Sequence, residues 1–290
     1  MQIPMIDTQV LVNGILLGGL YACVAIGFSL VWGILNIINM LHGTLIVFGA
    51  YLAQLAFLRT GLNPFLGAPI VGSLMFLLGY GLQRFVINRV MARPVLFTLV
   101  LTFGLELLLY NAMVVGFTAT PQRVLLNMGR IVLGDVVVPL DRLAAFVFAL
   151  FLTGLLYAVM RKSMLGRAIV AVRMDPEAAL LMGIRVPHIY AMTFGLASFM
   201  AGAAGCLIAV VFPFTPGLGE ALLGKSFIIC VLGGLGSVQG ALVGSLALSM
   251  SENVFGVWLG PQNAAIIGFA MLLLVLLTRP SGLAGRAGFD

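Results

Sequence analysis

The sequence predicts an all-α protein that crosses a lipid bilayer several times, and three features predict it: apolar composition, scarcity of charge, and the length of its apolar runs. Hydrophobic residues make up 62% of the 290 residues and charged residues 8%, where a soluble domain carries about a quarter charged residues. No water-soluble interior could hide that much apolar surface. A hydrocarbon core about 30 Å thick needs roughly 20 apolar residues per helical span, and such runs recur along nearly the whole chain. The 36 glycines would suggest loops in water; in lipid they suggest closely crossing helices, because small residues let backbones approach.

Taken in order, Met1 to Gln9 carries no basic residue before the first apolar run and no cleavage site, which argues against a cleaved signal peptide. Apolar runs predict helices at Val10 to Trp32, Ile34 to Leu58, Phe65 to Val86, Val95 to Phe117, Leu143 to Met160 and Ile189 to Phe212. Beyond these the pattern breaks. Phe227 to Leu235 is too short to span alone and runs into GGLGSVQG, and Ala241 to Phe255 and Ala264 to Leu277 are short as well. The expectation is eight or nine crossings with a broken or re-entrant segment near residues 213–240, in a single transmembrane domain covering 1–290. Such a break is tolerated in a membrane only where protein or a water-filled cavity satisfies the freed backbone. A transport route near Gly233 to Gly240 is one reading, and an ordinary cytoplasmic hairpin is the other.

Gly14, Gly18 and Ala22 keep small residues four apart on one helix face, and Gly236, Gly240 and Gly244 do so again; both read as packing faces. Cys23, Cys206 and Cys230 each stand alone in apolar stretches, so neither a disulfide framework nor a metal site is expected.

Charge sets the orientation. Arg84, Arg89 and Arg93 lie between the third and fourth helices, and Arg161, Lys162, Arg167, Arg173 and Arg185 between the fifth and sixth. The positive-inside rule places both segments in the cytoplasm. The loop from Thr118 to Asp141, with Asp135, and the N-terminus then fall in the periplasm, while Arg279 and Arg286 return the C-terminus to the cytoplasm. Outside to inside requires an odd number of crossings. The net charge of +6 is accounted for by these loops, so no nucleic-acid partner is expected, only membrane lipid.

The cytoplasmic segment 161–188 is too short to enclose a core. Asp175 before Pro176 reads as an N-cap followed by a first-turn proline, Glu177 complements the helix dipole, and Gly183 is a left-handed stop. These predict a short helix from Pro176 to Met182, with Ala178, Leu181 and Met182 forming an apolar side. It could lie on the membrane or sit in a groove on a partner.

Glu177, Ala178, Ala179 and Gly183 spell E-A-A-x-x-x-G, which resembles the cytoplasmic signature of ATP-binding-cassette importer permeases. The stretch GRAIVAVRMDPEAALLMGI, from Gly166 to Ile184, resembles the version found in high-affinity branched-chain amino acid permeases. Three further pieces are similar to the same family: GGLYACVAIGFSLVWGILNIINMLHG from Gly18, VLGGLGSVQGALVG from Val231, and RPSGLAGR from Arg279. The resemblance implies an ATP-binding-cassette importer permease fold of the shorter permease type, in a bacterial inner membrane. In that family the E-A-A segment, here Asp175, Glu177, Ala178, Ala179 and Gly183, docks onto the ATPase. It also implies two ATPase subunits, a second related permease and a periplasmic solute-binding protein. ATP is expected on the partners, with no cofactor, metal or catalytic residue on this chain. The family carries branched-chain amino acids, and also urea, short amides and aromatic acids.

Intramembrane polar residues default to functional hypotheses. Glu106 lies mid-helix, with Thr102 a turn before it and Asn111 further along; it could meet a substrate ammonium group, pair with a partner chain, or be structural. Asn36, Asn39 and His42 cluster where the first two helices meet, and Asn39, His42 and Gly43 match the family's N-x-x-H-G pattern. Interhelical hydrogen bonding and substrate contact both remain open there. Glu252 could be satisfied by Ser249, Ser251 and Asn253. Gly219 to Ser226 reads GEALLGKS and fits a phosphate-binding loop, but that chemistry needs a preceding strand and a second strand bearing a metal-binding Asp, and neither is predicted. A secondary transporter driven through Glu106 and Glu252 is the rival reading; an enzyme would need a nucleophile, base or metal set that two histidines do not supply.

Overall fold

Two helices form the axis of the bundle. In the computed structural model, which describes residues 7–117, 119–134, 136–260, 263–279 and 282–283, the apolar windows of α1 (Thr8–Leu35) and α8 (Val186–Val211) are each 89% buried. The other long apolar helices surround them: α2 (His42–Thr60) and α3 (Pro64–Phe85) along α8, and α5 (Leu140–Lys162) and α10 (Val238–Leu259) along α1. The outermost is α4 (Val95–Gly116), with only 11% of its window buried. These seven helices are long and apolar enough to cross a membrane, and α9 (Leu218–Gly233) and α11 (Ala264–Thr278) are shorter. The chain is an all-α polytopic membrane protein. Residues 1–6, Asp135, Arg286 and most of the RPSGLAGR motif lie outside the described residues.

Glycine sets the spacing of the axis. A Cβ on Gly49 would stand 2.7 Å from the Gly202 Cα, and one on Gly205 would collide with the Ile46 carbonyl oxygen, so α2 and α8 meet backbone to backbone. Gly14 lies against Met250 of α10, and Gly18 against Leu246 and Ser249. Gly240 and Gly244 pack on Gly233 of α9, and Gly236 lies between Gly33 and the Arg173 side chain.

The bundle is broken twice. First, α1 stops at Leu35 because Asn36 adopts a left-handed conformation with φ 54°. Residues 36–41 turn back along the helix, bringing the His42 Nε2 within 2.9 Å of the Val24 carbonyl oxygen, about three turns up α1. The continuous span expected from Ile34 is therefore interrupted; Asn39 holds the turn ahead of α2, its Oδ1 accepting the Leu41 N–H at 3.2 Å. Second, α8 ends at Val211, and Phe214 exchanges backbone hydrogen bonds with Gln122 at 2.8 and 2.9 Å. The chain then enters α9 beside the start of α2, where a Cβ on Gly43 would meet the Gly219 carbonyl. With 16 residues α9 is about 24 Å long, too short to cross alone.

The start of α9 precedes the expected apolar run at Phe227, because Glu220 and Lys225 hide it. Likewise α10 begins at Val238, inside the glycine-rich run: Gly234 and Gly236, at φ 96° and 73°, make the turn that ends α9, while Gly233 and Gly240 pack the two helices together. The turn at 234–237 lies at the α6 (Met164–Met174) end of the bundle, where Arg173 Nη1 donates to the Gly236 carbonyl at 3.3 Å. Gly233 to Gly240 thus makes the hairpin connection between α9 and α10.

At the opposite end, β1 (Arg130–Leu133) and β2 (Val136–Pro139) form an antiparallel hairpin. The Gln9 side chain grips it by accepting from Val137 N at 2.7 Å and donating to the Val137 carbonyl at 3.0 Å. The short helix α7 (Pro176–Leu181) is capped by Asp175, whose Oδ1 accepts from the N–H groups of Glu177 and Ala178, each at 2.9 Å. Gly183, at φ 82°, ends it. Ala179 anchors the helix, packing with Ile169, Val172 and Ile189, and the expected apolar side of Ala178, Leu181 and Met182 faces outward. Leu181 and Met182 are 88% and 82% exposed, and Ala178 is exposed too.

Candidate functional site

The first break and the helix that follows the second, α9, face one another across a cavity of about 470 Å³. Ile38 and Met40 of the first break, Phe28 of α1 and Thr44 of α2 form one wall; Gly219, Glu220, Leu223, Gly224 and Phe227 of α9 form another. Phe103 and Glu106 of α4 and Phe269 of α11 complete it. Non-helical backbone at membrane depth is stable only where protein or a hydrated cavity satisfies it, and residues 36–41 meet that condition. Thr102 holds them, its hydroxyl donating to the Ile38 carbonyl at 3.2 Å and accepting from Met40 N at 3.3 Å.

The lining is mostly apolar and aromatic. Phe227 stacks on Trp32 with centroids 5.0 Å apart, and Phe28 meets the same indole edge-on at 5.5 Å, so the aromatic wall is rigid. Polar capacity is concentrated in Thr44, Glu106 and Glu220, with no Lys, Arg or His among the lining residues. The Thr44 hydroxyl donates to Glu106 Oε1 at 3.2 Å, fixing the carboxyl group's direction. Such an arrangement holds a small apolar solute by its body while offering acceptors to an ammonium or amide group.

Of the five pathway residues expected from sequence, Glu106 alone lines the cavity. Thr102, Asn39 and His42 build the adjoining break: His42 is buried against the Val24 carbonyl and 5.6 Å from the Phe28 ring, and Asn39 is buried beside it. Asn111 stands apart, exposed, with its amide donating to the Leu107 carbonyl at 2.7 Å. Glu220 escaped notice because it sat inside the phosphate-loop match. Those residues, 219–226, lie wholly within α9; Ser226 donates to the Leu222 carbonyl at 2.8 Å.

The Lys225 of that match has a different partner. Its Nζ lies 2.6 and 2.8 Å from the two Glu252 oxygens and 2.9 Å from the Tyr21 hydroxyl. Glu252 is thus satisfied across helices and not by Ser249 or Asn253, whose side chains bond the Leu246 and Ser249 carbonyls. Nothing in the sequence pattern gave a reason to pair Glu252 of α10 with a lysine 27 residues upstream on α9.

No solved structure gives a significant match. A permease protein LivH of the high-affinity branched-chain amino acid transport system from Escherichia coli strain K12 is 32% identical, over 96% of this chain and 95% of its own. The corresponding BraD protein of Pseudomonas aeruginosa is 30% identical over 96% and 95%. A probable branched-chain amino acid transport permease from Methanocaldococcus jannaschii is 24% identical over 96% and 93%. The family model described as branched-chain amino acid transport system, permease component, matches residues 10–276. With nearly the whole chain matched, and a solute-sized cavity between its first membrane break and α9, this protein belongs to the branched-chain amino acid transport system permease family.

Proposed function

We propose that this chain is one of two permease subunits of an ATP-binding-cassette importer and carries branched-chain amino acids through the cavity at Glu106. The observation that carries the reading is the cavity itself: a helix break and the short helix α9 meet inside a family member, around aliphatic and aromatic walls with one oriented carboxyl group. Aliphatic side chains fit those walls, and Glu106 accepts from the ammonium group. The whole chain, 1–290, acts as one transmembrane domain in a bacterial inner membrane, with its N-terminus periplasmic and its C-terminus cytoplasmic. A second permease, two ATPases and a periplasmic solute-binding protein are the partners, and ATP is bound by the ATPases and no cofactor by this chain. The rival reading, ion-coupled transport through Glu106 and Glu252, is weakened because Lys225 already neutralises Glu252.

Glu106→Gln keeps the shape and removes the charge. We expect the concentration for half-maximal leucine uptake to rise roughly 10- to 100-fold, the size of a hydrogen bond to a charged group, with the chain still inserted. Unchanged uptake in reconstituted vesicles would refute the contact.

Energy enters through α7, whose exposed Leu180, Leu181 and Met182 offer an apolar face to an ATPase groove. Asp175, Glu177, Ala178, Ala179 and Gly183 shape this element. Glu177→Arg, and Gly183→Val at its positive φ, should cut ATP-driven uptake at least ten-fold while the ATPases' basal hydrolysis persists. Gly183→Asn, tolerated in the left-handed region, should retain most uptake. Normal uptake by the first two variants would sink the coupling role.

A further inference from the structure

A second cavity, of about 360 Å³, opens at the other end of α9, between α5, α6 and the turn at 234–237. Two guanidinium groups, from Arg161 and Arg173, share its lining with the Tyr157 hydroxyl, Ser237 and Gln239. Among the described residues neither arginine forms an ion pair. Arg161 Nη1 donates to the Tyr157 hydroxyl at 2.6 Å and its guanidinium lies 5.9 Å over that ring; Gln239 Nε2 donates to the same hydroxyl at 3.2 Å. Arg173 spends one N–H on the Gly236 carbonyl. A guanidinium has five N–H donors, so both keep several for a ligand, and among the described residues no carboxyl group lines the cavity to compete.

An apolar groove of about 250 Å³ adjoins it, sharing Tyr157, Val238 and Gln239 and continuing along α5 to Leu150 and along α10 to Leu242. Both helices are peripheral, with 28% and 22% of their apolar windows buried. A cationic pocket at the helix ends thus opens into an apolar channel running toward the membrane interior. We propose that this is a phospholipid site: Arg161 and Arg173 bind the headgroup phosphate of an anionic phospholipid, and an acyl chain lies between Leu150 and Leu242. Basic pockets between membrane helices take anionic headgroups by this chemistry. The site is separate from the Glu106 cavity and does not depend on which solute is carried.

The test uses the full chain, purified in mild detergent and stripped of lipid, with phosphatidylglycerol, phosphatidylcholine or inorganic phosphate added. Lipid retention is read by native mass spectrometry and protection by the melting temperature. We expect phosphatidylglycerol to be retained over phosphatidylcholine, and Arg161→Gln with Arg173→Gln to weaken its retention roughly 30-fold, at the usual contribution of a basic residue near a lipid surface. The exposed pair Lys162→Gln and Arg167→Gln, which removes equal charge outside the cavity, should change it little. Gly154→Leu, built into open space on the groove wall, should lower retention with both arginines intact, so a misfolded arginine variant would not hide the answer. Equal protection by inorganic phosphate alone would overturn the lipid assignment in favour of a free-anion site. Equal retention of both lipids, unaffected by the arginine and glycine changes, would overturn the site altogether.

Discussion

Replacing Lys225 by methionine is expected to destabilise the folded chain by about 1–3 kcal/mol, less than the loss of one member of a fully buried ion pair because both side chains are only partly buried. Lys225 and Glu252 side chains are 23% and 11% exposed, and their closest approach is 2.6 Å. The ammonium group also lies 4.5 Å from the centre of the Tyr21 ring, which adds a cation–π attraction. Methionine keeps the stem's volume while stranding the Glu252 carboxyl group between α1, α9 and α10. The double change Lys225→Met with Glu252→Leu removes both partners and should recover most of the loss. Thermal unfolding of the three proteins in one detergent decides it: a single variant as stable as its parent would mean the pair contributes nothing.

Gly205→Leu should be worse. The first carbon of any side chain at Gly205 collides with the Ile46 carbonyl and comes within 2.6 Å of Ala50 N, and backbone on both sides leaves nothing flexible to yield. Overpacking ordinarily costs about 1–3 kcal/mol and more where relief is blocked, so little folded chain should be recovered by size-exclusion chromatography. Gly81→Leu is the control. Its Cβ meets nothing within 4 Å, and exchanging glycine for a good helix former in α3 should be neutral or stabilising by up to about 1 kcal/mol. Equal recovery of both variants would show that the α2–α8 crossing is looser than its geometry implies.

How much of this was readable in advance depended on whether apolar length was the only signal. It located α1, α3, α4, α5 and α8 to within a few residues, because nothing in those segments competes with lipid burial. It ran α2 through residues 36–41, since Ile37, Ile38 and Leu41 are as apolar as the helices around them; the break is made by asparagine backbone geometry, which hydropathy does not register. It lost the first half of α9 to Glu220 and Lys225. A charge reads as a loop until its partner on another helix is known, and Glu252 lies beyond a turn. Of the cavity, Glu106 was legible as an acid in a span, whereas Thr102, Asn39 and His42 were legible as polar but not as wall supports. Glu220 needed the fold. The cap of α7 was the clearest local feature, as Asp175, Pro176 and Gly183 act on their own neighbours; which way the helix faced was decided by α6 and α8.

The glycine crossings of α1, α2 and α8 also limit how such a molecule can move. Sliding one helix past another by a turn would carry a side-chain-bearing residue into a slot where only hydrogen fits, as at Gly49 against Gly202 and Gly27 against the Ala197 carbonyl. Packed elements switch between discrete registers and do not creep, and here the neighbouring register is sterically closed. These three helices therefore behave as a stator. The element that glycine does not lock is the thinly packed α4, where a Cβ on Gly104 or Gly116 would meet nothing within 4 Å, and it is α4 that carries Glu106 into the cavity wall.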